Sequence, residues 1–309
     1  MHNLHKEIMS MHNPLSGSGS ASAFAPAHIT GFFVICKHED PALMGSLGCG
    51  VTLRSGVITS VTAPGPDTTP CDVPVVRSVV SRLTSRSCLI RSRSDIPIGA
   101  GFGASGAYAI GAALAINRAL SLNLTAGQLS RVAHIAEVEN RTGLGDVVAQ
   151  SLGGIVIRCT AGASARLNRI YTDERDVFWV VFDEISTKEM LEDKNTADRI
   201  NPAGRDSLRE LLKRPTFENF MIQSKRFAVE TGLMSDAVSD AVEAVEAAGG
   251  MVSQAMLGDA VFAFDLSERG GAGDAITPIG SVLSEFGSVG RSRIDFGGAR
   301  LISNDRLRI

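Results

Sequence analysis

The segment at residues 97–107 reads PIGAGFGASGA and places three glycines at alternate positions before an alanine-rich stretch. Glycine tolerates any φ and lacks a side chain, so several main-chain amides of such a segment can point in one direction. The residues from about Ser105 to Leu120 predict a helix. Because the free N–H groups and the positive dipole end of that helix would face the same point, the segment is typical of a phosphate-binding loop.

Two nucleotide-binding motifs match this segment only in part. The spacing of Gly101, Gly103 and Gly106 fits the dinucleotide-binding fingerprint. However, residues 91–95 before it are polar rather than a buried strand, and residues 107–132 contain no carboxylate for a ribose. The Walker A lysine is also absent.

A nucleophilic role for Ser105 is excluded by the order of the residues. A serine in a nucleophile elbow needs a later acid and then a later histidine, but the last histidine is His134 and no acid precedes it after Ser105. Two interpretations remain at this point. One is a phosphate loop whose Ser105 hydroxyl ligates a Mg²⁺ bridging two phosphates, and the other is a glycine-rich turn required for close packing.

Two acidic residues follow the helix after this loop. Glu137 lies late in a helix predicted at 125–140, and Asp146 follows a Gly-Leu-Gly turn. Glu137 can supply one ligand to Mg²⁺, and Asp146 can accept the proton of an attacking alcohol or hold that alcohol in line. Taken alone, Glu137 is equally an exposed helix charge and Asp146 a helix cap. Only their combination with the loop favours the functional interpretation.

Composition limits the other possibilities. The chain has 309 residues, 44% hydrophobic and 20% charged, which predicts a globular protein of about two domains. A net charge of -3 and 5% aromatic residues argue against a nucleic-acid partner. The longest apolar run, near residues 108–116, is far shorter than the ~20 residues of a membrane span. Five scattered cysteines without a CxxC pair favour free thiols in the cytoplasm.

The pattern of elements predicts an α+β fold rather than a doubly wound sheet, because strands and helices do not alternate regularly. Residues 24–36 predict a strand interrupted at Pro26 and Gly31, and residues 46–62 predict two short strands joined by a turn at Ser55-Gly56. Residues 165–185 predict a hairpin. We expect residues 1–20 to be a disordered tail, and we expect no membrane partner.

Four segments in order resemble the motifs of the GHMP kinases (galactokinase, homoserine kinase, mevalonate kinase and phosphomevalonate kinase). They are FAPAHITG at 24–31, the loop at 97–107, TGLGDVVAQSLGG at 142–154 and GMVSQAMLGDAVFAF at 250–264. The first, third and fourth segments are most similar to those of the archaeal pantoate kinases, which are members of this family. The resemblance implies the two-domain GHMP kinase fold, with a ribosomal protein S5 domain 2-like domain at 21–165 and a ferredoxin-like domain at 166–309.

The resemblance also implies the roles of individual residues. It implies ATP and Mg²⁺ as cofactors, a homodimer, a metal held by Ser105 and Glu137, and catalysis by Asp146 together with those two residues. It implies nucleotide binding by the loop residues Pro97, Gly99, Ala100, Gly101, Phe102, Gly103, Ala104, Ser105 and Gly106. The chain departs from the family at His28, which stands where several members have a lysine. It also departs in the last motif, where Gln254, Met256 and Leu257 replace glycines.

Four further residues are candidates for binding the substrate. Arg158 interrupts the apolar strand at 155–159 and can bind a carboxylate with two hydrogen bonds, although alternation also allows it to face solvent. His134 lies one turn before Glu137 and is either a donor to substrate or a core histidine. His28 can orient substrate or act as a core or capping residue, and Thr30 can bind substrate or simply fit a strand.

The function that the resemblance implies is in-line transfer of the ATP γ-phosphoryl group to the primary hydroxyl of pantoate, giving 4-phosphopantoate for coenzyme A synthesis. Positioning and charge neutralisation are sufficient for such a reaction, without a covalent enzyme intermediate. Two alternatives remain. One is another GHMP kinase, acting on mevalonate or homoserine. The other is a non-catalytic nucleotide-binding sensor on the same fold.

Overall fold

Two long antiparallel strands, β1 (Gly19–Cys36) and β2 (Gly45–Ala63), form the framework of the protein. The computed structural model describes residues 19–63, 72–183, 194–265 and 277–303. The two strands pair along their whole length. Most of β1 is buried, because helices described below pack against it. The predicted tail lies outside the described residues except for its last two residues, which begin β1.

The predicted interruptions of the first strand coincide with irregularities in its pairing, whereas the predicted division of residues 46–62 into two strands was wrong. β1 continues through Pro26 and Gly31, with shifts of register after Pro26 and next to Gly31. The predicted turn at Ser55-Gly56 is a bulge within β2, where a Cβ on Gly56 would overlap the carbonyl oxygen of Ala25. A glycine that allows two backbones to approach closely therefore gives the same sequence signal as a turn glycine.

The first sheet contains six strands in the order β10-β1-β2-β4-β5, with β3 also paired to β2. All of its pairings are antiparallel. Helices of small and apolar residues pack against it, and the alanines of the central helix, α2, allow a close approach to the sheet. These elements are α1 (Pro74–Leu83), β3 (Leu89–Ser94), α2 (Ala104–Ala119), α3 (Ala126–Glu139), α4 (Asp146–Leu152), β4 (Ile155–Arg158), β5 (Leu167–Ile170) and β10 (Arg300–Ile302).

The second sheet has four antiparallel strands in the order β7-β8-β6-β9. The predicted hairpin at 165–185 was wrong, because β5 pairs with β4 in the first sheet while β6 belongs to the second. The elements of this part are β6 (Asp176–Asp183), α5 (Lys194–Lys213), α6 (Phe217–Thr231), α7 (Asp236–Ala247), β7 (Met251–Gln254), β8 (Asp259–Phe264), α8 (Pro278–Ser284) and β9 (Gly290–Arg293).

The α+β fold class is confirmed. None of the helices in the described ranges is long and apolar enough to cross a membrane. The division into domains at residue 165 stays a prediction, and strands from beyond that residue, β5 and β10, complete the first sheet.

Helices α5 and α6 pack across β1 and join the two halves of the core. A Cβ on Gly204 of α5 would overlap the carbonyl oxygen of Phe33, and a Cβ on Gly31 would overlap the Ser224 hydroxyl of α6. The ring centroid of Phe227 in α6 lies 5.7 Å from that of Phe33. These close approaches fix the position of β1 within the first sheet, and β1 carries three residues of the site described below.

In the last described segment, the buried carboxylate of Asp295 holds the turn that leads back to the first sheet. Oδ1 of Asp295 accepts hydrogen bonds from the amides of Gly297 and Gly298 and from the guanidinium of Arg300. The Asp295 carbonyl accepts from the hydroxyl of Thr52 at 2.7 Å. Asp295 therefore anchors the turn that leads into β10.

We expect Asp295→Ala to lower the free energy of unfolding by about 2–4 kcal/mol, because the buried amide of Gly298, the amide of Gly297 and a guanidinium lose their acceptor. Chemical denaturation followed by circular dichroism measures the effect. Arg300→Ala is the control, since it removes a partly exposed ion pair, a hydrogen bond to the Gly298 carbonyl and a contact with the Phe24 ring but leaves both amides bonded to Asp295, so it should cost less than Asp295→Ala. Equal losses in the two variants would contradict this account of Asp295.

Candidate active site

The glycine-rich segment forms a loop with alternating left-handed glycines. Gly99, Gly101 and Gly103 have φ values of 79°, 82° and 62°. Residues with side chains adopt such angles at a cost, so these glycines permit a backbone path that other residues resist. The loop ends at Gly103, directly before the first residue of α2.

The start of α2 carries no neutralising side chain. Its first residue is Ala104, its cap Gly103 makes no side-chain hydrogen bond, and its first turn contains no acid. The loop and this helix end line a cavity of about 340 Å³, here called the phosphate cleft. Unpaired amides and a helix dipole directed into a cleft form a binding site for an anion. The other residues lining it are Thr30, Ile98, Asn140, Arg141, Thr142, Asp146, Met256 and Leu257.

A turn from the second sheet contacts the loop. A Cβ on Gly258 would overlap the carbonyl oxygen of Ala100, and a Cβ on Gly101 would lie 2.9 Å from the carbonyl oxygen of Met256. The amide of Met256 donates to the carbonyl of Thr30 in β1 at 2.9 Å. The turn between β7 and β8 is therefore fixed against both the loop and β1.

Leu257 occupies a strained position in this turn. The amide of Gly258 donates to the carbonyl of Ala255, and Leu257 has a φ of 66° where such turns favour glycine. A non-glycine residue in this region costs about 1–3 kcal/mol. The surrounding contacts hold Leu257 there.

Glu137 and Asp146 lie side by side beneath the start of α2. A single Cβ built on Gly106 would be 3.1 Å from Oε1 of Glu137 and 3.1 Å from Cβ of Asp146. A Cβ on Gly143 would likewise overlap Oε1 of Glu137 and lie 3.1 Å from Oδ2 of Asp146. The glycines at 106 and 143 thus leave room for two carboxylates next to the loop.

Glu137 is fully buried, and neither of its carboxylate oxygens has a hydrogen-bond partner of normal geometry among the described residues, although the Val147 amide lies close enough to oppose part of the rise in its pKa. Burial and the neighbouring charge of Asp146 raise the pKa of Glu137 well above its ordinary value. A buried carboxyl without a donor is unfavourable when ionised unless a cation approaches it. This carboxyl therefore has the property expected of a metal ligand.

Asp146 is held by a chain of two buried side chains. Nδ1 of His28 lies 2.6 Å from Oδ1 of Asp146, and Nη1 of Arg158 lies 3.4 Å from Nε2 of His28. Burial lowers the pKa of His28, so the ring is neutral and donates from Nδ1 to the carboxylate while Nε2 accepts from Arg158. Burial alone would raise the pKa of Asp146, but the His28 hydrogen bond and the Arg158 charge hold it below its ordinary value.

Arg158 lines a second, narrower cleft that meets the phosphate cleft at Asp146, Thr30 and Leu257. Here it is called the Arg158 cleft. Arg158 is buried, and its Nε has no acceptor among the described residues. A buried guanidinium with a spare donor favours binding of an anion. The remaining lining residues are Phe33, Ser46, Leu144 and Gly145.

The structure brings most of the predicted site residues to these two clefts. Ser105 lies in the first turn of α2, where its hydroxyl donates to Thr142 at 2.6 Å. The structure does not bring His134 to them. The Nε2 of His134 donates to the Met44 carbonyl at 2.9 Å, and the buried ring lines neither cleft. Sharing a helix with Glu137 was not sufficient, because the two side chains reach different neighbours.

Several residues of the site were not predicted from the sequence. Nε2 of Gln150 donates to the Gly103 carbonyl at 2.8 Å and thereby ties α4 to the end of the loop. The hydroxyl oxygen of Thr142 accepts a hydrogen bond from the Ser105 hydroxyl. Arg141, whose φ is 58°, lines the phosphate cleft. Gln150 and Thr142 lie in the segment 142–154 already singled out by resemblance, which was the available signal.

Comparison with known proteins agrees with this architecture. The GHMP kinase N-terminal domain family matches residues 74–154, which contain the loop and both carboxylates. A solved structure of a phosphotransferase related to the CoA biosynthesis pathway is 26% identical, covers 92% of this chain and 98% of its own, and superposes with a TM-score of 0.79. Mevalonate diphosphate decarboxylase from Staphylococcus aureus, 15% identical over 94% of this chain and 100% of its own, has the same fold with a TM-score of 0.71.

Two relatives in sequence show to which branch of this family the chain belongs. The pantoate kinase of Methanocaldococcus jannaschii is 36% identical over 79% of this chain and 93% of its own length. That of Thermococcus kodakarensis is 35% identical over 80% of this chain and 88% of its own. The chain therefore belongs to the GHMP kinases and, within them, to the pantoate kinase family.

Because Glu137 is buried, we expect its ionisation to lower the free energy of unfolding in a pH-dependent way. Its pKa is raised in the folded protein, so the stability that depends on its proton is fully present below its ordinary pKa of 4.5 and is lost as the pH rises toward the raised value. In metal-free buffer, we expect Glu137→Gln to be increasingly more stable than the wild type between pH 5 and pH 8, by up to about 1.4 kcal/mol per pH unit. Denaturant unfolding at several pH values measures this difference.

The matched control for this prediction is Glu139→Gln, two residues along the same helix. The carboxylate of Glu139 is partly exposed and pairs with Arg82, so its removal should not produce a growing difference. If the Glu137→Gln and wild-type stabilities change in parallel with pH, the buried carboxyl carries no such penalty.

Proposed function

We propose that this protein phosphorylates the primary hydroxyl of pantoate with ATP, giving 4-phosphopantoate and ADP. The observation that carries the proposal is the meeting of the phosphate cleft and the Arg158 cleft at one carboxylate, Asp146. One cleft suits a polyphosphate, the other, with a cavity of about 20 Å³, presents Arg158 to a single anionic group such as a carboxylate, and the group between them can accept a hydroxyl proton. The family to which the chain belongs supports the choice of pantoate.

The nucleotide triphosphate would bind in the phosphate cleft. The amides of residues 99–106 and the start of α2 supply hydrogen-bond donors and a positive dipole end. Arg141 adds a positive side chain to the lining of this cleft. Amides and a cation of this kind neutralise the charge that develops during transfer of a phosphoryl group.

The residues beside the loop fit a magnesium ion. Glu137 presents two oxygens without partners, and the Ser105 hydroxyl stands at the mouth of the same loop. Mg²⁺ is bound in kinases by one or two carboxylates together with substrate phosphates, and no denser cluster of metal-binding side chains occurs in the described ranges. Ser105 and Glu137 would hold the ion, which would neutralise phosphate charge.

Asp146 would act on the hydroxyl that is phosphorylated. Its side chain is 21% exposed, at the junction of the clefts, while Oδ1 is occupied by His28. Because its pKa is held low, Asp146 is a weak base that orients the hydroxyl first and accepts its proton as the bond forms. The hydroxyl oxygen bonds to the γ-phosphorus, the bond to the β-phosphate oxygen breaks, and ADP leaves.

Arg158 would bind the carboxylate of pantoate, with the hydroxyl end directed at Asp146. The hydrogen bond from Arg158 to His28 links the two ends of the substrate site. His28 would then keep Asp146 in place and would not need to touch substrate, which gives a reason for a neutral histidine where several GHMP kinases have a lysine. Thr30 lines both clefts and is a second polar contact for substrate.

The alternatives explain fewer features. A nucleotide sensor needs the loop but not a carboxylate held between two clefts. Homoserine carries an ammonium group, whereas Asp146, the carboxylate in the described lining of the Arg158 cleft, is already bonded to His28 and lies beside the positive charge of Arg158. The homodimer and the cytoplasmic location inferred from the sequence stay predictions.

The test of this function is a panel assay on purified protein with ATP and Mg²⁺. ADP release is followed with pantoate, mevalonate or homoserine as acceptor, and we expect turnover with pantoate at least about a hundredfold faster than with the others. Asp146→Asn is the matched control. It should bind ATP normally by calorimetry yet lose about a thousandfold or more in kcat, because the hydroxyl has no proton acceptor.

Each outcome of the panel is informative. Preferred turnover of mevalonate or homoserine would assign another substrate to the same site. ATP binding without turnover of any acceptor would favour a sensor. Full activity of Asp146→Asn would remove Asp146 from its role.

A separate prediction concerns the acid-binding group. We expect Arg158→Ala to raise the KM for pantoate about tenfold to a hundredfold, because a carboxylate loses charge-assisted hydrogen bonds. The KM for ATP should change less than about threefold. Arg158→Lys keeps the charge without the planar guanidinium, so its KM for pantoate should lie between those of the wild type and Arg158→Ala. Steady-state kinetics with each substrate varied in turn gives these values, and an unchanged KM for pantoate would remove Arg158 from the site.

A further inference from the structure

Leu257 combines three properties that are rarely found together. It is a branched residue at a positive φ, it lines both clefts, and it is only half-buried. Glycine would relieve the backbone at this position. Since a strained residue that persists at a site suggests a use for its side chain, the question is what the leucine contacts.

The apolar side chains of the Arg158 cleft lie on three different elements. Phe33 comes from β1, Leu144 from the turn before α4, and Leu257 from the turn between β7 and β8. The polar groups of the same cleft include Arg158 and Asp146. A ligand that spans from the guanidinium to the carboxylate must therefore place its middle against apolar surface.

Pantoate has a matching distribution of groups. Its carboxylate and its phosphorylated hydroxyl lie at opposite ends, and the carbon next to the hydroxymethyl group carries two methyl groups. We propose that Leu257 is a specificity-determining residue that packs against these two methyl groups. This inference rests on the proposed function, and it adds the part of the site that distinguishes pantoate from unbranched hydroxy acids.

Gln254 acts as a positioning residue for Leu257. The side chain of Gln254 is buried, and its Nε2 donates to the carbonyls of Gly258 and Leu233 at 3.1 and 3.2 Å. This amide thus holds the far end of the turn, while the Met256 amide is held by Thr30. Two of the departures from the family's glycines, Gln254 and Leu257, then serve one purpose: the first fixes the turn and the second presents an apolar side chain.

The test compares two acceptors that differ only in the methyl groups. They are pantoate and its analogue without them, 2,4-dihydroxybutanoate. We expect the wild-type kcat/KM to favour pantoate by about tenfold or more, as one or two buried methyl groups allow. In Leu257→Gly this ratio should fall below about threefold, with the KM for ATP changed less than about threefold and the thermal unfolding midpoint unchanged or raised.

Two further variants separate selectivity from strain. Leu257→Ala keeps the strained φ but loses the branched side chain, so it should lose selectivity without a gain in stability. Ser121→Gly relieves another positive φ, of 52°, at a residue that lines neither cleft, and its selectivity should equal that of the wild type.

The outcomes distinguish this inference from the proposed function. An unchanged ratio in a Leu257 variant that still phosphorylates pantoate overturns the role of Leu257 alone. Equal loss of selectivity in Ser121→Gly would also overturn it. Failure of the wild-type protein to phosphorylate pantoate overturns the proposed function and this inference with it.

Discussion

The site depends on keeping two carboxylates side by side, one buried and the other only partly exposed, which is unfavourable without compensating charge. Asp146 and Glu137 solve this problem differently. Asp146 is compensated within the protein, through His28 and the positive charge of Arg158. Glu137 is left without a donor among the described residues, and its pKa is raised. The pKa of one carboxylate is thus held below its ordinary value, and that of the other is raised above it.

This arrangement requires the main chain to come unusually close in several places. A Cβ on Gly50 would overlap Nε2 of His28, and a Cβ on Gly145 would lie 2.8 Å from Nε of Arg158. Gly106 and Gly143 make room in the same way for Glu137. Because these glycines lack a Cβ, the charged side chains of the site occupy space that a side chain at the glycine positions would fill.

The second sheet completes a site that the first sheet begins. The loop, both carboxylates, His28 and Arg158 belong to elements in or packed on the first sheet. The turn after β7 then closes against the loop through Gly258 and contributes Leu257 to both clefts. A site built at such a contact can differ between family members through a short turn while the phosphate loop stays the same.

The sequence by itself determined the fold class, the loop at 97–107 and the family, because glycine spacing, helix periodicity and short motifs are local properties of a chain. It also singled out Ser105, Glu137 and Asp146 as a group, although their roles remain proposals. Only the tertiary structure decided that Ser55-Gly56 is a bulge, that β5 and β6 belong to different sheets, and that His134 donates to Met44 instead of facing a cleft. The tertiary structure also decided that Arg158, His28 and Asp146 are linked by hydrogen bonds. His28 is separated from Asp146 by 118 positions and from Arg158 by 130, so these contacts depend on how the strands pair and not on local sequence.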